Sequence, residues 1–125
     1  DDDIVALLSK RVFDIAGTNT AAGAKLNVFL NGEKINIHTF QQYIAMFRGL
    51  AAPCVFERIN ERWEVGVAVS DGSFQQVSFV NSICTIKGGQ HVNYIVDQVT
   101  QKLIGTVKKK NKGQEVKAGH IKNHL

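Results

Sequence analysis

Two adjacent glycines, Gly88 and Gly89, stand between a run rich in aromatic and β-branched residues and a run with helical periodicity, and this junction constrains the chain more than any other stretch. Phe74 to Ile83 places Val77, Phe79 and Ile83 on one face of a period-two ladder, with Asn81 among them, and reads as a strand. The glycines permit positive φ and close backbone approach, so the chain can turn sharply. Apolar residues resume at Val92, Ile95, Val96, Val99, Leu103 and Val107, whose spacings of three and four form one stripe of a helix from about His91 to Lys110. Gly113 is its expected stop.

The preceding segments have equally local signatures. Asp1 to Asp3 lie before an apolar pattern at Ile4, Leu7, Leu8 and Val12 or Phe13, placing acidic side chains at a helix start, and Gly17 is expected to end that helix. Leu26–Leu30, Asn31-Gly32 and Glu33–Ile37 spell a hairpin, because Asn-Gly readily takes the two positive φ values of a type I′ turn. Thr39 is placed to cap a short helix that buries Phe40, Tyr43, Ile44 and Phe47. Cys54–Ile59 and Arg62–Ser70 form a second hairpin turning near Asn60-Glu61, with Trp63, Val65, Val67 and Val69 alternating inward. Asp71-Gly72 then leads into the Phe74 strand. The expectation is a three-stranded antiparallel meander whose apolar face the long helix covers. After Lys117 the chain reads as loop and one helical turn.

A length of 125 residues, 44% of them apolar and 21% charged, suits one domain with one core. No apolar run approaches the ~20 residues that span a bilayer, and no segment resembles a signal sequence, so a soluble intracellular protein is expected. Cys54 and Cys84 make neither a disulfide framework nor a Cys-x-x-Cys pair and read as reduced, packed thiols. The net charge of +4 hides a split: residues 1–100 hold 8 basic and 10 acidic side chains (−2), residues 101–125 hold 7 lysines and one glutamate (+6). Such a cationic end is what a footprint for a polyanion requires, although a solvated lysine face has the same composition.

The run FQQVSFVNSI, the KGGQHV that follows, and a helix ending in VKKKNKG resemble the transducer domain of eukaryotic type IIA DNA topoisomerases. The resemblance extends through VALLSKRVFDIAG, RWEVGVAVSDGSFQQ and VKAGHIKNHL and covers nearly the whole chain. It implies an α+β fold, a two-layer sandwich of mostly antiparallel sheet covered by a long helix, like domain 2 of a ribosomal small-subunit protein. Residues 1–125 would form the transducer, with 1–17 the helix joining an ATP-binding domain. The family's central strand and its Gln-Thr-Lys loop do not occur in this sequence, so a fragment of a larger chain is expected, with an unfilled strand position and an exposed apolar edge. The family also carries a longer polar connection where this chain passes abruptly from Phe47 to Cys54; either the loop around Gly49–Pro53 is trimmed or residues are missing there.

By the same resemblance, Lys108, Lys109 and Lys110 contact DNA. Three cationic stems at a helix end can neutralise phosphates without reading bases, whereas compensation of the helix dipole explains one or two such lysines better than three followed by Lys112. Lys87 beside Gly88 and Gly89 lacks a Gly-x-x-x-x-Gly-Lys pattern and reads as a turn lysine. His120 and His124 have a three-residue gap seen in some zinc sites, but without paired cysteines the spacing alone carries little weight. His91 is expected to bond locally; a Cys84–His91 nucleophile pair would lack an orienting third group. Tyr43 and Tyr94 do not match the surroundings of the family's DNA-cleaving tyrosine. No catalytic, nucleotide-binding or metal residue is therefore assigned within the chain. The resemblance implies a nuclear, homodimeric enzyme that uses ATP and Mg2+ to pass one DNA duplex through another, this part coupling gate closure to the cleaving core and showing no turnover alone. The alternative is a freestanding nucleic-acid-binding module of the same fold.

Overall fold

The computed structural model describes residues 1–20, 26–47 and 54–125. These form an α+β structure of four helices and three two-stranded antiparallel sheets, arranged in two compact units. The first unit comprises residues 1–67 and 79–84, the second 68–78 and 85–125. The abrupt passage expected at Gly49–Pro53 lies outside the described residues. Among the described residues no helix is long and apolar enough to cross a membrane.

In the first unit, α1 (Asp2–Thr18) starts where the acidic cluster indicates, with the Asp1 side chain accepting from the Asp3 amide. Gly17 is not its stop. The helix runs one residue further, and Gly17 lies buried against Tyr43, where its missing side chain makes room for the ring. The stripe at Ile4, Leu7 and Leu8 is exposed, whereas Val12, Phe13 and Ala16 pack into the core. Strands β1 (Phe29–Leu30) and β2 (Glu33–Lys34) flank Asn31-Gly32, whose φ values of 50° and 83° are those of the expected type I′ turn. Past this hairpin, Ile35 and Ile37 are buried.

Helix α2 (Phe40–Ala45) is capped by Thr39, whose hydroxyl accepts from the Gln42 amide at 3.1 Å. It delivers Tyr43 and Phe40 into an aromatic cluster, with Phe47 edge-on to Tyr43 at 5.2 Å and Phe79 at 5.8 Å between ring centroids. Strands β3 (Val55–Asn60) and β4 (Trp63–Val67) pair antiparallel, Arg58 opposite Glu64, with a register shift between Arg58 and Asn60. Gly66 of β4 lacks the Cβ that would come within 2.6 Å of Ile44 Cδ1, so strand and helix approach closely.

The expected third strand is folded back on itself. Phe79–Val80 (β5) pairs with Ile83–Cys84 (β6) across Asn81-Ser82, which have φ values of 49° and 67°. The period-two reading ran straight through a left-handed turn that Asn81 tolerates and that resembles the Asn31-Gly32 turn. Val77 and Ile83 are consequently exposed rather than facing a core. Among the described residues β4 pairs only with β3, so the three-stranded meander is not formed. The backbone that would have extended it is engaged elsewhere: Ser70 N donates to His124 O at 2.8 Å and Gln75 N to Leu125 O at 3.1 Å.

The first unit is tied together by a buried charge. Asp14, 3% exposed, accepts from the Tyr43 hydroxyl at one carboxylate oxygen and from Lys10 Nζ at the other, the latter at 2.6 Å. Burial, then the hydrogen bond and charge of Asp14, raise the Tyr43 phenol above its ordinary value of 10.0. For Lys10 burial acts downward, but Asp14, with a smaller contribution from Cys84, outweighs it and the ammonium is raised above 10.5. Both groups are thus held protonated by the folded state. Their stabilisation is complete below about pH 10 and is lost as pH rises from there through the folded-state values. Denaturation followed from pH 9 upward should show stability falling, and Tyr43→Phe should make that fall shallower; an identical slope would show that Tyr43 does not carry it.

Candidate nucleic-acid interface

Helix α3 (Gln90–Lys110) dominates the second unit, and the glycine pair starts it as its sequence implies. Gly88 has φ 73°, and Gly89, the N-cap, has φ 155° with ψ −176°, a region essentially reserved for glycine. The Gly89 carbonyl accepts from the amides of Val92 and Asn93, both at 3.1 Å, which begins the helix without a side-chain cap. Side chains brace the corner. Gln76 Nε2 donates to Ile86 O at 3.0 Å, the Ser78 and Thr85 hydroxyls bond to each other, and Thr85 Oγ1 lies 3.2 Å from His91 Nε2. His91 is therefore a local strut. Gly88 N donates to Thr85 O at 2.9 Å and Lys87 is exposed, so this loop is a turn and not an open phosphate cradle.

At the far end, about 30 Å along the axis at ~1.5 Å per residue, lie Lys108, Lys109 and Lys110. All three are exposed and occupy the last helical turn. Consecutive helical positions lie about 100° apart, so the three stems fan around the helix end. The terminus beneath them is closed by Asn111 N donating to Val107 O at 2.9 Å and Gly113 N donating to Lys108 O at 3.0 Å. Lys112 and Gly113, with φ 53° and 87°, turn the chain away. Among the described residues the ion pairs are Lys10–Asp14, Arg58–Glu64 and Lys122–Asp97, and none engages this cluster. The sequence thus located the cluster, and the structure adds that it makes no ion pair among the described residues and that its backbone is capped.

The remaining candidates fall into structural roles. Tyr43 is buried on Asp14, while Tyr94 is 61% exposed on α3. Cys54 and Cys84 are free and half-buried. Among the described residues no three His, Cys, Asp or Glu side chains gather in a way that would hold a metal ion. The Asp14–Tyr43 bond, between positions 29 apart, had no signal in the sequence.

Residues 17–125 match the sequence model of the family described as DNA gyrase B. The chain belongs to that family and is a type IIA topoisomerase segment. It is similar over its whole length to DNA topoisomerase 2 of Arabidopsis thaliana at 49% identity, to DNA topoisomerase 2-beta of Mus musculus at 47%, and to DNA topoisomerase 2-alpha of Homo sapiens at 46%. It spans 9% of the first of these relatives and 8% of the other two.

Proposed function

We propose that this segment is the transducer of an ATP-dependent type II DNA topoisomerase, relaying closure of a nucleotide-driven gate to a DNA-cleaving core while touching duplex DNA through Lys108, Lys109 and Lys110. The whole enzyme, on this reading, is a nuclear homodimer that relaxes or decatenates DNA by double-strand passage, with ATP and Mg2+ held by other segments; this one alone turns over no ATP. In the whole protein the short hairpins belong to a mainly antiparallel sheet under a long helix, the two-layer sandwich of the ribosomal domain 2 kind.

The observation that carries the DNA contact is the fan of three lysines, without an ion pair among the described residues, at the capped end of a 21-residue helix. Their placement supports backbone neutralisation, which needs charge and reach but no base-specific geometry. Identity along the full chain to much longer topoisomerases favours this over a freestanding nucleic-acid-binding module. Replacing all three lysines by alanine in the full-length protein should flatten the slope of log affinity against log salt by roughly 2.7, about 0.9 per phosphate contact. An unchanged slope would assign the cluster to a solvated face.

A further inference from the structure

Helix α4 (Ala118–Lys122) and the turn after it bring together two imidazoles that serve no role above. Helical winding continues to the chain end, because Asn123 N donates to Gly119 O at 3.1 Å and His124 N to Ile121 O at 3.0 Å. His120 and His124, four apart, therefore share one face. Their ring centroids lie 5.4 Å apart, tilted by 41°, and both side chains are exposed. His124 Nδ1 is 2.9 Å from His120 O. A carbonyl oxygen can only accept, so Nδ1 carries the proton and Nε2 presents its lone pair to solvent. A ring whose other nitrogen donates to a backbone carbonyl is the arrangement that orients metal-ligating histidines. The nearby Lys122 ammonium is paired with Asp97 at 2.7 Å, which offsets its repulsion of a cation.

We propose that His120 and His124 form a two-imidazole site for a borderline divalent transition ion, Zn2+, Ni2+ or Cu2+, with water completing the coordination. An ion ~2.1 Å from each nitrogen bridges Nε2 atoms up to about 4 Å apart. The His120 ring, which has no hydrogen-bond partner among the described residues, can close that gap by turning about χ2. Mg2+ and Ca2+ are disfavoured because they take oxygen ligands. The bound ion clips the turn whose last two carbonyls accept from the Ser70 and Gln75 amides, so loading the site also steadies that pairing.

The test uses the full-length protein, with Cu2+ supplied as its iminodiacetate chelate, which leaves two adjacent positions for imidazole. Wild type, His120→Gln, His124→Gln and, as a control, His38→Gln are compared by electron paramagnetic resonance and by amide hydrogen exchange with and without Zn2+. Wild type and His38→Gln should bind one more chelate per chain than either of the other variants, with a two-imidazole signature that Zn2+ displaces. Zn2+ should slow exchange at Ser70 and Gln75 only where both histidines are present. Equal copper uptake in all four proteins, or loss in only one of the two pair variants, overturns the site. Exposed positions are replaced, so thermal unfolding should be the same for all four; a shift confined to one pair variant would mean a structural role and also count against the proposal.

Discussion

Gly17→Ala is expected to destabilise the protein by about 3 kcal/mol, although alanine is the better helix former by about 1 kcal/mol. A Cβ at this position would lie 2.7 Å from Tyr43 Cβ and Cδ2 and closer still to Cγ. The ring cannot swing aside without cost, since Tyr43 is 4% exposed and its hydroxyl is bonded to Asp14, one turn earlier on the same helix. Overpacking and weakening of that bond therefore outweigh the gain in propensity. Gly105→Ala on α3 is the matched control, because among the described residues no atom lies within 4 Å of the added Cβ and only the propensity gain remains. Chemical denaturation should move the two variants in opposite directions; if both became more stable, the α1–α2 contact would be looser than described.

Asp14→Ala should cost about 3 kcal/mol, the lower end of the range for breaking a buried ion pair. The discount reflects Lys10, whose side chain is 45% exposed and can turn its ammonium to water once the carboxylate is gone. The Tyr43 hydroxyl has no such escape, and a buried donor left without a partner accounts for ~1–3 kcal/mol of the loss. Tyr43→Phe alone removes that donor but leaves Asp14 paired with Lys10. The double variant should therefore be less destabilised than the sum of the two single ones, by about 1 kcal/mol or more. Strict additivity in denaturation experiments would show that the two groups are not coupled.

What local chemistry dictates was legible in advance. Gly88-Gly89, the stripe of α3, Asn31-Gly32 and Thr39 each act through neighbours within four positions, and each stands where its residue type requires. Asn81-Ser82 was missed because the apolar residues on either side keep the alternation of a continuous strand, while the turn depends on two left-handed residues without a glycine. Gly17 reads locally as a stop because glycine usually is one near a helix end; its actual reason is Tyr43, 26 positions later. The role of Asp14 was hidden likewise, its partner lying 29 positions later. For the candidate interface, the sequence supplied the identity and charge of Lys108–Lys110, and their lack of ion-pair partners among the described residues emerged only from the folded arrangement.

On the function proposed above, a cationic helix end joins DNA to a nucleotide cycle run elsewhere in the protein. The full-length enzyme with Lys108, Lys109 and Lys110 all changed to alanine tests it most directly, through ATP hydrolysis without DNA, hydrolysis with DNA, and duplex passage measured side by side. Hydrolysis without DNA should match the unmodified enzyme, while its stimulation by DNA and the passage of duplexes should both collapse. Full stimulation and passage in the substituted enzyme would contradict the claim.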